Sequence, residues 1–371
     1  MTLSNIFFGK KVVQQAYLNN ALIYQSKGWE TLPSTCTEVW TKSYDITFSF
    51  NKLVSDLDNN IYALSNDSLY KFDPDGAIVW QKKILSEVKS SWIKCLKLDN
   101  INNTIFIMRK NTVNGIDHIF IDEFTKNGSV KNEYDITEIY SNGINGANDY
   151  AIDDKFIYLS VYYYDYSNYT FNNYYLIKID RLEKKVVQIV GNTYINNNCL
   201  VSYKKYLYAA VDYNPINPSS GMSLRRFNKE DLTDSVFINS WIDTDDTRNI
   251  IKYITTDKLD NIIYKTNGNG TIKYNIDSKT KTALPISNGN DNSIIHVDYQ
   301  QNIYVVEFDS SIKSTNLLKI SSDNTLIYKI PIKDAVNPIF TVDYQGNIYY
   351  NWDSSDQTYI KKLINIVKKG N

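Results

Sequence analysis

Leu53-Val54-Ser55-Asp56, then Asn59-Asn60-Ile61-Tyr62-Ala63-Leu64, then Leu69-Tyr70-Lys71-Phe72-Asp73, a Pro74-Asp75-Gly76 turn, and Ile78-Val79-Trp80-Gln81-Lys82-Lys83-Ile84 read as four short strands, a to d, separated by Asn, Asp and Gly turns. The centre of the second strand, a branched aliphatic residue or Leu followed by an aromatic, returns at Ile105-Phe106, Ile157-Tyr158, Leu207-Tyr208, Ile263-Tyr264, Ile303-Tyr304 and Ile348-Tyr349. Counting Ile61-Tyr62, that makes seven copies, with the aromatics 40 to 56 residues apart. A four-stranded unit of that length cannot bury both of its faces alone, so repeated units stack radially. The expected fold is all-β, a seven-bladed β-propeller.

The third strand recurs around a basic residue, as in Ile177-Lys178-Ile179, Arg225-Arg226-Phe227, Leu318-Lys319-Ile320 and Lys361-Lys362-Leu363, and only Asp122-Glu123-Phe124 breaks it. An acidic residue recurs near the end of the first strand at Asp56, Asp99, Asp153, Asp257, Asp298 and Asp343, with Ser202 as the exception. A ring of such charges could be functional. The structural reading takes precedence: Asp caps turns through its carboxylate, and a residue required in every blade serves the blade. No metal and no cofactor is expected.

The last repeat is incomplete after Ile360–Leu363, whereas Val39-Trp40-Thr41-Lys42-Ser43-Tyr44-Asp45-Ile46 resembles the fourth strand of the first repeat without a preceding a-to-c set. The expected closure places this strand, near 39–46, on the outer edge of blade seven, where it covers an exposed strand edge. The chain then divides into a segment 1–35 and a propeller 36–371, with residues 28–37 as connector.

At 43% hydrophobic and 22% charged residues with net charge −1, the 371-residue chain offers no general attraction to nucleic acid or to an acidic membrane. The first residues lack the basic and apolar regions of a signal peptide, so synthesis in a cytoplasm is expected. Cys36, Cys95 and Cys199 are isolated and odd in number, which suggests free thiols.

Residues 5–26 do not follow the repeat. Asn19-Asn20 suits a two-residue hairpin turn between a strand ending at Tyr17 or Leu18 and another starting at Ala21, and such a hairpin needs a partner surface. Its Gly-Lys start, Val-containing strand, Tyr-Leu-Asn-Asn and Leu-Ile-Tyr-Gln resemble the short N-terminal module of tail and baseplate proteins of bacteriophages that infect low-GC Gram-positive bacteria. The remainder resembles propellers of the NHL and PQQ-like type, through Asn59-Asn60-Ile61-Tyr62-Ala63-Leu64 and Asp343-Tyr344-Gln345-Gly346-Asn347-Ile348-Tyr349. The resemblance implies a virion component assembled in the host cytoplasm in multiple copies per particle. Phe7, Phe8, Val12, Tyr17, Leu22 and Tyr24 would dock it on other tail or baseplate subunits, and the disc would bind a host surface carbohydrate or protein. The alternative for 1–35 is a hairpin packed back on its own propeller.

Long b-to-c connections are expected at 109–118, 164–173, 212–222 and 308–316, and d-to-a connections at 85–94, 137–148 and 244–249. Binding residues favour such loops on a rigid scaffold. The run 162–175 is the densest in Tyr, and Tyr164, Tyr166, Tyr169 and Phe171, with Tyr213 and Trp352 on neighbouring loops, are the candidate receptor contacts. Packing the loops against one another is the competing role. An enzyme is not expected, because the two histidines, His118 and His296, sit in unrelated settings and His296 reads as a core residue. A purely architectural or head-decorating virion protein, and a carbohydrate-active propeller enzyme using loop carboxylates such as Asp243, Asp245 and Asp246, are the alternative functions.

Overall fold

The computed structural model describes residues 6–8, 11–13, 15–18, 21–25, 34–44, 50–85, 92–113, 116–139, 144–165, 167, 170–191, 193–212, 222–238, 251–257, 259–266, 270–286, 295–309, 314–332, 338–353 and 358–367. Seven four-stranded antiparallel sheets stack in a ring, each with its strands in the order a-b-c-d from the axis outwards. The innermost strands are Lys52–Ser55, Trp92–Asp99, Gly146–Ile152, Tyr194–Tyr203, Ile251–Thr256, Ile295–Val297 and Phe340–Val342. The protein is a seven-bladed β-propeller. Its core lies between the blades, because the b and c strands are largely buried on both faces while the outer d strands carry mostly exposed and half-buried residues.

The repeat explains the buried charges. In blade one, Asp56 Oδ1 accepts the backbone N–H groups of Asp58 and Asn60, both at 2.9 Å, and its Oδ2 accepts the Tyr62 hydroxyl at 3.0 Å. Tyr304 and Tyr349 donate in the same way to Asp298 and Asp343, at 3.0 Å each. With Tyr158 and Asp153 in blade three, the motif thus ties the a-to-b turn to its own b strand in four blades. The recurring lysine ties one blade to the next. Lys71 donates to the carbonyl of Lys126 in the c-to-d turn of blade two (3.3 Å), Lys178 to Glu230 of blade four (2.9 Å), Lys273 to Ser322 of blade six (2.7 Å), and Lys362 to Pro74 of blade one (3.0 Å).

Two of the irregular repeats have physical explanations. In blade two, Phe106 has no hydroxyl and Glu123 stands at the lysine position; Arg181, from the c-to-d turn of blade three, donates to both Asp99 and Glu123 at 3.0 Å. The blade contact is kept with its charges reversed. In blade five the dipeptide expected at Ile263-Tyr264 is one residue out of register, since Ile263 faces Lys273 across the sheet as Tyr62 faces Lys71. The repeated position is Ile263, and Asp257 has the Lys273 ammonium 3.6 Å away.

Ser34–Tyr44 pairs antiparallel with Thr358–Val367 and completes blade seven. The connector expected over 28–37 therefore ends earlier than proposed, because Ser34–Thr37 pair with Ile364–Val367. Trp40 lies against Gly76 in the c-to-d turn of blade one, where a Cβ would come within 2.6 Å of the ring, and the positive φ of 77° also favours glycine. Trp80 and Gly128 repeat the contact between blades one and two. Upstream, Ile6–Phe8 pairs with Lys11–Val13, and Gln15–Leu18 with Ala21–Gln25, as two separate two-stranded sheets. The second brackets Asn19-Asn20 through the pair Leu18 and Ala21.

Candidate functional site

The innermost strands enclose a cavity of about 260 Å³ on the axis, lined by residues of six blades: Lys52, Lys97, Asp149, Tyr253, Thr255 and His296 supply its polar groups. Four of these strands carry a register shift, between Lys94 and Lys97, Ala147 and Tyr150, Ile195 and Leu200, and Ile251 and Tyr253. Bulges of this kind bend a strand and re-aim its side chains. In blade two the bulge holds Cys95 at a φ of 60°, and in blade three it contains Asp149.

Lys97 is the best-anchored cation. Its ammonium lies 2.8 Å from Asp149 Oδ1, donates to the Tyr150 carbonyl, and sits over the Tyr150 ring. Asp149 is almost fully buried; it accepts the Tyr150 N–H at 2.8 Å and the Leu200 N–H at 2.9 Å, so one carboxylate joins blades two, three and four. Asp149 is the only carboxylate lining the cavity among the described residues. Burial pulls the Lys52 ammonium below the usual lysine range, and Lys97 adds to the fall while Asp149 and Cys95 oppose it. Lys94, on the same strand as Lys97, is lowered by burial as well. Burial, with Lys52 beside it, pushes His296 down to about 4, so its imidazole is neutral at pH 7. Burial raises the Tyr253 hydroxyl, which stays protonated as a donor. The site presents ammonium and hydroxyl donors in a partly open space on the axis.

His296 was expected in the core; it instead lines the axial cavity, packed edge-on to Phe340 at 4.8 Å. His118 occupies a second polar cluster on blade two. Its Nδ1 is 2.7 Å from Asp135 Oδ2, and Asp135 Oδ1 accepts the N–H groups of Thr137 (3.0 Å) and Glu138 (3.2 Å), capping the short helix Ile136–Ile139. His118, Asp135 and Glu138 lie close enough to share an ion. The cap and the histidine already engage both Asp135 oxygens, so no ion is needed to explain them.

Three of the six aromatic receptor candidates lie in strands rather than on the loops expected for them. Tyr164 and Phe171 are strand residues, directly paired, because the hairpin of blade three runs out to Asp165 and Thr170. Trp352 is likewise in a strand, paired with Tyr359. A run dense in Tyr, Phe and Thr prolongs strands rather than forming a loop. Tyr166, Tyr169 and Tyr213 lie outside the described residues, as do the side chains of Tyr164, Phe171, Trp352, Phe7, Phe8, Val12, Tyr17, Leu22 and Tyr24. The long connection expected at 109–118 is a ladder from the pair Arg109 and Phe120 to the pair Val113 and Ile116. Asn114-Gly115, between those last two residues, is a strong two-residue hairpin signal that the sequence reading passed over. The connection at 308–316 shrinks to 310–313, while 213–221 remains long.

The channel residues were also passed over, although a signal was present. Two and four positions before the recurring acidic residue, the aligned first strands carry Val54, Lys97, Thr255 and His296, and Lys52, Asp149 and Tyr253. Alternation along a strand puts both positions on one face.

No protein-family model matches the sequence, and no curated protein does. Solved structures do. A chain of a mitotic checkpoint complex superposes with a TM-score of 0.57 at 9% identity, over 96% of this chain and 98% of the other. The WD40 β-propeller domain of Doa1 gives 0.55 at 10% identity, over 88% and 96%, and the WD40 repeats of RRP9 give 0.56 at 11% identity, over 89% and 100%. The chain is a WD40-like propeller by fold. At these identities the likeness carries no function.

Proposed function

We propose that this protein is a non-catalytic structural and adhesive component of a bacteriophage tail or baseplate, built as a rigid disc behind an N-terminal docking segment. The observation that carries the reading is the junction between the two parts. The strand pairs within residues 6–25 join none of the seven blades, and the next described strand in chain order is the closing strand Ser34–Tyr44. A load applied to the docking segment would thus reach the strand held by ten backbone partners in blade seven. The resemblance of residues 5–26 to phage tail modules supplies the particle. Among the described residues, His118 is engaged by the helix-capping Asp135 and the neutral His296 packs against Phe340, an arrangement that supports a binding role over a catalytic one.

In this reading the other virion subunits are the partners of the first segment, and a host surface carbohydrate or protein is the partner of the disc. Many copies on one particle would raise a modest affinity through avidity. The test is adsorption of the purified chain to low-GC Gram-positive cells and to their isolated wall polymers. Binding by the full chain and by a version lacking residues 1–33 supports an adhesive disc. Release of reducing sugar from the polymers overturns the non-catalytic reading, and no binding to any surface overturns the adhesive one.

A further inference from the structure

The a-to-b turns of the ring carry residues that a turn does not ask for. Turn positions favour Asp, Asn, Gly and Ser, and in blades three and four the exposed residues of these turns are charged: Asp154 and Lys155, Lys204 and Lys205. The corresponding turns of blades five, six, seven, one and two hold Leu259, Tyr299, Tyr344, Leu57 and Ile101. Four of these five are exposed, and Tyr344, half-buried, lies against the Tyr299 ring at 4.5 Å. The five blades are consecutive in the closed ring, so the side chains lie along one apolar arc of a single face. Exposed apolar patches of this kind mark interaction surfaces.

Blade seven is the middle of this arc, and it receives the closing strand Ser34–Tyr44. Its c and d strands run on past the pair Ile348 and Leu363, the level at which the c strand of blade one ends, through four further pairs from Ile364 and Thr37 to Val367 and Ser34. At about 3.3 Å per residue this ladder projects about 13 Å on the a-to-b side of the disc. Residues 26–33 separate Ser34 from the strand pairs at 6–25. Such a tether spans about 30 Å when extended, whereas the d strand of a blade stands only about 10–15 Å from its a-to-b turn, at roughly 4.8 Å per strand. The segment is apolar in Ile6-Phe7-Phe8 and Ala21-Leu22-Ile23-Tyr24, and its two-stranded pairs need a surface to be stable. Charge agrees, since the segment carries Lys10, Lys11 and Lys27 against Glu30, and the c-to-d turns on either side of blade seven expose Asp75 and Asp323. We propose that in the free protein residues 6–25 lie on this arc and cover Leu57, Tyr299 and Tyr344. The tether holds the segment at an effective concentration in the millimolar range, so a weak apolar contact suffices. Docking on another subunit then exchanges one apolar surface for another and bares the face together with the segment, whatever particle the subunit belongs to.

The experiment places a photoreactive side chain on the face of the full chain, Tyr299→benzoylphenylalanine, with Val187→benzoylphenylalanine on the outer strand of blade three as the control. Irradiation at low concentration, followed by digestion and mass spectrometry, should join position 299 to a peptide from residues 6–25 of its own chain, and position 187 to none of them. A cross-link from 299 to a second copy, no cross-link from 299 to the segment, or equal cross-linking from both positions overturns the proposal. Hydrogen exchange supplies a second readout. The exposed turn variant Leu57→Asp/Tyr299→Asp should speed amide exchange within residues 11–25 at least tenfold, and unchanged exchange overturns the proposal. Neither measurement uses cells or wall polymers, so a failure here is separate from a failure of the adhesive reading.

Discussion

At the rim of the ring, Lys71, Lys273 and Lys362 each reach a backbone carbonyl of the neighbouring blade, whereas in the channel Lys97 adds to such a carbonyl, that of Tyr150, an ion pair with the buried carboxylate of Asp149. The same side chain therefore does different work at the two radii. At the rim it replaces a turn's lost hydrogen bonds to water, and a repeat can supply it identically in blade after blade. The axis is where seven non-identical strands meet, so a charge there is specific to one blade and is not required by the repeat. Blade two sharpens the contrast. Its Glu123 reverses the rim contact, yet Arg181 restores it from the other side, so the junction conserves a pairing rather than a sign.

The largest effect should come from opening the ring. A version lacking residues 1–33 keeps the closing strand and should melt as one cooperative transition, close to the full chain. One lacking residues 1–44 strips Thr358–Val367 of its outer neighbour, leaves it paired only with Ile348–Asp353, and should lose that transition. Circular dichroism melts of the two compare them directly, and identical curves would remove the closing strand from the account of stability.

Next in size is Glu123→Lys. Its carboxylate is almost wholly buried and binds Arg181, Lys131 and Asn132, so the new ammonium would face two cations in a dry junction. The expected cost is about 3–5 kcal/mol by urea unfolding. A second substitution, Arg181→Gln, should recover part of it, since a junction that depends on pairing improves when the repulsion is removed. Failure of that rescue would show that packing, not charge, governs the rim.

The channel should reveal itself through pH. His296 is held near 4 against an ordinary 6.5, by burial first and Lys52 second. Between those values the unfolded chain binds a proton that the folded chain refuses, so stability is complete above pH 6.5 and falls as the pH drops towards 4. The loss attributable to this residue is at most about 3 kcal/mol. His296→Gln should flatten that part of the profile, and an unchanged slope relative to the wild type would place the imidazole in contact with solvent.

The smallest effect belongs to a single rim lysine. Lys362→Met removes the bond to the Pro74 carbonyl across the closure and should cost about 1–2 kcal/mol, and Lys71→Met about the same at an internal junction. A markedly larger cost at Lys362 would mean that the closure, rather than the repeat, is where the ring is weakest.

The sequence by itself determined the blade count, the strand order and the turn-capping use of the recurring Asp, whereas the recurring Lys, whose head could equally have reached water, was shown only by the structure to bind the next blade. Those features are local or periodic, and a turn capped by Asp56 is visible within seven residues, from Asp56 to Tyr62. It also pointed to the Trp40 strand as the partner of Tyr359–Leu363, because an unpaired fourth strand at one end matches a missing one at the other. It failed where two strand-forming runs meet: residues 109–118 and 164–173 look polar or aromatic enough for loops, yet cross-strand pairing prolongs them as hairpins. The repeat marks which first-strand positions face inwards, but which charges meet around one cavity was decided by tertiary structure. Lys52, Lys97, Asp149, Tyr253 and His296 are separated by dozens of residues, and no local preference records that bulges and ring closure bring them around one cavity. A propensity acts over a turn or a strand, whereas the channel's electrostatics exist only when six blades have converged.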